Sequence, residues 1–469
     1  MIPIYVFEKR TVALFGLGLS GVASARALVA GGARVIAWDD NEAARTAAAS
    51  EGVEVTDLHG VNWNDLAALV LAPGVPLTHP EPHWTVRMAR SAGIEIIGDT
   101  ELFFRERDRL KSGARVVAIT GTNGKSTTSA LMAHILTNAR RETALGGNIG
   151  TAILDLPQLA DDRAYVVEFS SYQIDLTPTL RADAAALLNI TPDHLDRHGT
   201  FENYSAVKAR VFSGLTATGC AVVGIDDEPC RKIAATLTGP YEVRQVSVTR
   251  PVDNGVYVSN GTLRETRDGQ ESAFIELTGI GSLRGEHNAQ NAAAAFALAR
   301  SIGLETDEIE KGLRSFPGLE HRMEQVGRRG NVLFVNDSKG TNADAAAHAL
   351  ASFENIFWIA GGLAKEGGIA GLSEYFPRIA HAYLIGEAAD DFSRVLKGHV
   401  NYTVCGTLDR AVQAAAVDAA SSDAGEPVVL LSPACASFDQ FRSFAVRGDA
   451  FKQAVSKLEG IVLSQSEAA

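Results

Sequence analysis

The stretch Val116 to Thr128 carries residue types that handle phosphate. A β-branched run, Val116 to Ile119, leads into Thr120-Gly121-Thr122-Asn123-Gly124. Lys125, Ser126 and Thr127 then open an amphipathic helix through Leu131, Met132 and Ile135. Strand, glycine loop, Lys-Ser and helix in that order make a phosphate cradle. Glycines let backbone N–H groups approach phosphate oxygens, and the helix N-terminus adds a partial positive charge. Lys125 would reach the β- and γ-phosphates, and the Ser126 hydroxyl could ligate Mg²⁺. Ile119 stands where the strict P-loop pattern has its first glycine. The plain alternative is a βα turn rich in small residues, which the strand before and the helix after argue against.

Other chemistry-bearing residues fall at predicted strand ends. A strand at Tyr165 to Val167 delivers Glu168, and one at Ala184 to Ile190 runs into Thr191-Pro192-Asp193-His194. Carboxylate, imidazole and hydroxyl beside a nucleotide could ligate Mg²⁺, although that ion prefers oxygen. A lone His after a strand is more often a loop hydrogen-bonder. Gly16-Leu17-Gly18-Leu19-Ser20-Gly21 follows the strand Thr11 to Phe15, and Asp39-Asp40 ends the strand Arg34 to Trp38. That spacing fits a dinucleotide fingerprint, which reports a diphosphate and a ribose but not which nucleotide. Strand Ala68 to Leu71 ends in Ala72-Pro73-Gly74, either a plain turn or a ligand loop at the same sheet edge. Asp337, Lys339, Lys365 and Ser437 follow further strands and would form a polar rim for a small carboxylate. Either lysine alone also reads as surface solubility.

The elements that must position these residues alternate strand and helix, the pattern of parallel α/β sheets. Gly146 to Gly150 reads as a turn-rich loop, residues 217–280 as peripheral strands, and Ala289 to Arg300 as a helix with Asn288 and Asn291 near its start. Phe201 to Phe212 is helical, and its periodicity makes Lys208 a surface lysine. An amphipathic helix is expected from Phe438. Gly98-Asp99 and Phe316-Pro317-Gly318 mark joins, which predict domains at 1–99, 100–317 and 318–469.

At 469 residues the chain exceeds what one core supports. A formal charge of −13 disfavours a nucleic-acid partner. No apolar run reaches membrane-spanning length. Lys9-Arg10, the apolar stretch from Val12 and Ala23-Ser24-Ala25 imitate a signal peptide, but the glycines at 16, 18 and 21 favour a folded βαβ unit. Cys220, Cys230, Cys405 and Cys435 form no Cys-x-x-Cys pair, as expected of buried thiols in a reducing cytoplasm.

Together these residues resemble the Mur ligase family across nearly the whole chain. Thr120 to Thr127 looks like its ATP loop, which accounts for Ile119. Asn189 to His198 and Tyr204 to Lys208 look like its metal and lysine segments. His321-Arg322, Asn336 to Asn342 and Leu431 to Phe441 resemble its C-terminal domain, with Ser437 to Phe441 and Gly16 to Gly21 favouring a D-glutamate-adding member. The resemblance implies three α/β domains: N-terminal Rossmann-like, central P-loop and C-terminal Rossmann-like. It implies amide-bond formation driven by ATP and Mg²⁺, with two metal sites and Lys208 carried as a carbamate. Lys125, Glu168, His194 and Lys208 would be catalytic, and Ser126 would join the last three as metal ligands. Gly121, Thr122, Asn123, Gly124, Lys125, Ser126, Thr127, Asn288, Asn291, Arg322 and Asp337 would hold ATP. Leu19, Ser20, Asp39, Asp40, Gly74 and Asn148 would contact UDP-N-acetylmuramoyl-L-alanine, and Lys339, Thr341, Lys365, Ser437, Phe438 and Phe444 would contact D-glutamate. Ala364 departs from the Asp or Gly often found before that lysine. The protein is expected in the cytoplasm and as a monomer, although sequence does not fix the oligomeric state.

A nicotinamide dehydrogenase would use the first fingerprint but leave the second nucleotide loop without a purpose. A folylpolyglutamate-type or another Mur-type ligase would share the ATP loop and differ in the acceptor pocket. A non-catalytic nucleotide-binding module would have no use for Glu168, His194 and the two lysines.

Overall fold

Site-bearing strands are apolar runs that stop at turns of small residues, and parallel pairing brings those turns to common sheet edges. The computed structural model describes residues 1–364 and 367–464. It contains three sheets in two compact units, one of 1–277 with 289–314 and the other of 278–288 with 315 onward. The expected α/β class with parallel-rich sheets holds.

The first sheet lies in the first unit. Its strands β1 (Thr11–Phe15), β2 (Arg34–Trp38), β3 (Ala68–Leu71) and β4 (Glu95–Ile97) are parallel, in the order β2-β1-β3-β4. Strand order reverses between β1 and β3, so their carboxyl ends flank a crevice suited to a ligand. Residues alternate across the sheet: Val12 and Leu14 join one core with Val22 and Leu28, while Ala13 and Phe15 join another with Leu69, Leu71 and Val86.

The second sheet has nine strands: β5 (Arg115–Thr120), β6 (Glu142–Gly147), β7 (Arg163–Glu168), β8 (Ala184–Leu187), β9 (Cys220–Gly224), β10 (Glu242–Ser247), β11 (Gly255–Ser259), β12 (Thr262–Arg267) and β13 (Gln270–Glu276). Their order is β13-β12-β11-β10-β9-β8-β5-β7-β6, and only the β11-β12 and β12-β13 pairs are antiparallel. β5 sits between β7 and β8, and Val116 to Ile119 are fully buried. That is the near-continuous apolar run of a parallel strand covered on both faces.

Three expectations change here. Gly146 and Gly147 complete β6, pairing with Val167 and Glu168, so they are not a loop. β8 stops at Leu187, three residues before Ile190, and the chain after it ties to the phosphate loop instead. Residues 217–280 are not all peripheral. β9 is buried throughout beside β8, and a helix at Glu228–Thr236 is capped by Asp227, whose side chain accepts from the Cys230 N–H at 2.8 Å.

The second unit holds β14 (Glu324–Arg329), β15 (Val332–Asn336), β16 (Ile356–Gly361), β17 (Ile379–Ile385), β18 (Tyr402–Gly406), β19 (Val428–Leu431) and β20 (Val462–Leu463). The order is β18-β17-β16-β19-β15-β14-β20, parallel from β18 to β15 and antiparallel beyond. The helix expected from Phe438 begins at Phe444 and runs to Ser456. Ser443 fixes that start by accepting from the Val446 N–H, while the Ser437 carbonyl holds 437–441 as a turn by accepting from Gln440 and Phe441.

Candidate active site

The loop after β5 is braced from β8. The Thr122 N–H donates to the Asn189 carbonyl at 2.9 Å, and the Asn123 N–H donates to the Asn189 side chain at 2.8 Å. The Thr122 hydroxyl lies 3.0 Å from the Tyr204 hydroxyl. Gly124 has φ of +81°, and a side chain there would overlap the Asn291 carboxamide. Asn291 accepts from the Thr128 hydroxyl at 3.1 Å, which fixes that approach. Gly124 caps the helix Lys125–Asn138 without any side-chain hydrogen bond, so the Ser126 and Thr127 N–H groups are placed for an anion. The Lys125 ammonium curls onto this loop, donating to the Gly121 and Thr122 carbonyls at 3.0 and 2.7 Å.

Lys208 is not a surface lysine. It lies on the helix Phe201–Ala209, 2% exposed, on the buried face with Tyr204 and Val207. Its Nζ donates to the Gly121 carbonyl at 2.7 Å and lies 4.9 Å from the Tyr204 ring centre. Burial, and then the Lys125 charge, push its pKa down to about 7. Glu168 ends β7 at 1% exposure. Its Oε1 accepts from the Asn148 carboxamide at 2.7 Å, while its buried Oε2 makes no hydrogen bond. An unpartnered buried carboxylate oxygen fits a hard cation such as Mg²⁺. His194 does not come straight off a strand. It has φ of +53°, caps the short helix Leu195–His198, and packs 5.0 Å from the Tyr172 ring with its Nε2 3.3 Å from Asp193. Among the described residues no three His, Cys, Asp or Glu side chains gather as a metal cluster.

At the first sheet, the loops after β1 and β3 touch. Gly16 has φ of +96°, and a Cβ there would lie 2.5 Å from the Ala72 Cβ. Asp39 braces the glycine turn: its Oδ2 accepts from the Leu17 N–H at 2.7 Å and its Oδ1 from Asn41 at 2.8 Å. Asp40 pairs with His83 Nε2 at 3.0 Å and accepts from Trp84 Nε1 at 3.3 Å. Leu19 is 84% exposed, Ser20 is half-buried beside it, and Gly74 is exposed in the β3 loop.

In the second unit the expected polar rim is partly buried. Asp337 is 5% exposed and Ser437 2%. Asp337 accepts from the Ser432 hydroxyl at 2.7 Å and from the Met323 N–H at 3.3 Å. Burial pushes its pKa up to about 7 against the opposing pull of Ser432 and Arg322. The Lys339 Nζ lies 5.7 Å from the Phe444 ring centre, and the Thr341 N–H donates to the Lys339 carbonyl. Phe438 is 71% exposed. Asn288 is buried in this unit and donates to the Arg284 carbonyl at 2.9 Å, although its helix continues to Asn291. Lys365 lies outside the described residues.

Comparison with known proteins bears on these groupings. Residues 119–299 match the Mur ligase middle domain, and residues 321–435 match the Mur ligase glutamate ligase domain. The chain is 57% identical over 464 residues to UDP-N-acetylmuramoylalanine--D-glutamate ligase of Chelativorans sp. (strain BNC1), covering 99% of each chain. It is 58% identical over 463 residues to the protein of that name from Bradyrhizobium diazoefficiens, covering 98% of this chain and 99% of the other. The chain belongs to the Mur ligase family. The fold agrees: UDP-N-acetylmuramate-alanine ligase of Thermotoga maritima superposes with a TM-score of 0.56 at 18% identity, covering 95% of this chain and 98% of that one.

Some residues of this Mur ligase that buttress the groupings were not legible. Arg447, 1% exposed on the last long helix, donates to the Ser338 hydroxyl at 3.0 Å, the Ser338 carbonyl at 2.9 Å and the Cys435 carbonyl at 3.0 Å. It ties the loop after β15 to the loop after β19. Spacing puts Arg447 on the same helix face as Phe444, but nothing local in the sequence reveals its distant carbonyl partners. Asp99, 3% exposed, faces Ser20 and Gln173, and burial pushes its pKa up to about 6. Nothing local in the sequence signals that burial.

Proposed function

We propose that this Mur ligase joins D-glutamate to UDP-N-acetylmuramoyl-L-alanine with ATP, forming an amide bond in peptidoglycan precursor synthesis. The observation that carries this is 57% identity, across 99% of both chains, to a ligase of that name. The alanyl carboxylate attacks the γ-phosphate, giving an acyl phosphate and ADP. The glutamate amine then attacks the acyl carbon, and phosphate leaves through a tetrahedral intermediate. A free carboxylate is a poor electrophile, so phosphorylation supplies the leaving group. The protein's work is alignment and charge neutralisation.

Residues 1–99 would bind the uridine substrate through Leu19, Ser20, Asp39, Asp40 and Gly74, with Asn148 contributed from the next domain. Gly121 to Thr127, Asn288, Asn291, Arg322 and Asp337 would be the ATP contacts, with residues 100–317 as the ATP-binding domain and 318–469 as the amino-acid-binding domain. Lys339, Thr341, Lys365, Ser437, Phe438 and Phe444 would take D-glutamate. Lys125 supports the phosphoryl group because its ammonium already lies on the loop carbonyls. The lowered pKa of Lys208 supports a carbamate, since only a neutral amine captures CO₂, releasing a proton and leaving an anion. Ser126, Glu168, His194 and that carbamate would hold two Mg²⁺ ions, which would offset phosphate charge. A cytoplasmic setting goes with this reading, and among the described residues no helix is long and apolar enough to cross a membrane. The test is phosphate release with ATP, Mg²⁺ and UDP-N-acetylmuramoyl-L-alanine, comparing D-glutamate with L-glutamate and other amino acids.

A further inference from the structure

Arg197 follows β8 in the His194 segment, yet its guanidinium is spent on the first sheet. Nη1 donates to the Gly74 carbonyl at 2.8 Å, and Nη2 donates to the Val75 carbonyl at 2.9 Å and the Pro73 carbonyl at 3.5 Å. Three successive carbonyls after β3 therefore point at one cation. The Tyr172 ring lies 4.5 Å from the guanidinium carbon, and the same ring packs 5.0 Å from His194 and 5.5 Å from His198. Nε is buried and makes no hydrogen bond.

We propose that Arg197 is a positioning residue for the uridine substrate, latching the 73–75 loop of the first sheet to the His194 segment of the second. The inference rests on the proposed function, in which Gly74 meets that substrate. A trans peptide sends its C=O and N–H in opposite directions. With the Pro73 and Gly74 carbonyls drawn to Arg197, the N–H groups of Gly74 and Val75 face away from it. The Val75 N–H donates to the Ala72 carbonyl at 3.0 Å. The Gly74 N–H takes no acceptor among the described residues, which leaves it as a donor on the side opposite Arg197. The loop also lies against the glycine turn: a Cβ on Gly16 would be 2.5 Å from Ala72 and 3.2 Å from Val75. Any shift of residues 72–75 thus reshapes the crevice between β1 and β3. Through Tyr172, the same cation fixes the loop's distance from His194. A planar fork can serve several carbonyls at once, and an ammonium cannot match that geometry.

The test uses full-length Arg197→Lys and Arg197→Met proteins. Calorimetry measures binding of UDP-N-acetylmuramoyl-L-alanine and, separately, of a non-hydrolysable ATP analogue with Mg²⁺; melting temperatures are taken alongside. Uridine-substrate affinity should fall about tenfold or more in both variants, the size expected for losing a charged hydrogen bond, with ATP-analogue affinity within about twofold. The KM for the uridine substrate should rise more than kcat falls. If Arg197→Met does not fold, Arg197→Lys, which keeps the charge and most of the volume, carries the comparison. Unchanged uridine affinity in a variant of wild-type stability overturns the latch. Equal weakening of both ligands with a matching drop in melting temperature marks a merely structural role and overturns it too. A wild-type protein that fails to bind the uridine substrate overturns the functional reading, and the latch with it.

Discussion

Lys208 and Lys125 share one acceptor: their ammonium groups donate to the Gly121 carbonyl at 2.7 and 3.0 Å. Two cations on one carbonyl concentrate positive charge beside the phosphate loop, and each makes the other's charge costlier. For Lys208 burial is the larger cost, and it lowers the pKa from 10.5 to about 7. Between those values the unfolded chain binds the additional proton, so stability rises with pH across that window. The penalty is complete below about pH 7 and gone above about 10.5. Lys208→Met should therefore melt higher than the wild type, with the gain largest at the acid end. Melting curves over a pH series check this, and a lower melting temperature at every pH would count against a costly buried charge.

The same lowered pKa bears on the carbamate. Lys208→Ala should lose at least about a hundredfold in kcat, the order seen on removing one preorganised electrostatic group. Short carboxylic acids should partly restore it by supplying oxygens where the carbamate would lie. Wild-type activity should also drop when dissolved CO₂ is stripped, and below about pH 7, where the amine becomes ammonium. Full activity of Lys208→Ala without any additive would remove the carbamate from the mechanism.

Lys125→Ala removes the cation that lies on the Gly121 and Thr122 carbonyls. ADP release should fall by about 10²–10³-fold, while binding of the uridine substrate to the first sheet stays unchanged. Coupled ADP assays and calorimetry separate the two. Loss of both would point to a collapsed domain.

Gly124→Ala places a methyl group where the backbone is left-handed and the Asn291 carboxamide already stands. The left-handed conformation alone costs an ordinary residue about 1–2 kcal/mol, and the clash adds to it. The KM for ATP should rise about tenfold or more, and the KM for the uridine substrate should not move. An unchanged KM for ATP would mean that the turn is not the phosphate seat.

Legibility in the sequence followed local rules. Gly121 to Thr127 was readable because an apolar strand, a glycine turn and a helix are each local signals, and Glu168 because it ends a β-branched run. Periodicity alone misplaces Lys208, because it assigns a lysine to water, whereas here the amine finds the Gly121 carbonyl from a distant strand end; only the family resemblance singled it out. The start of the last helix was misplaced because Phe438 looked like its first apolar residue. Ser443, a good capping residue one position before Phe444, was the signal that marked it. Arg197 and Arg447 bond to loop carbonyls far away in sequence, and no spacing rule reaches such partners.

Phosphate release from ATP and Mg²⁺, with UDP-N-acetylmuramoyl-L-alanine present or absent and D- or L-glutamate as acceptor, tests the central claim most directly. The expected result is release that needs the uridine compound and is much faster with D-glutamate, with one amide formed for each phosphate. ATP hydrolysis indifferent to the uridine compound, or equal turnover with L-glutamate, would contradict it.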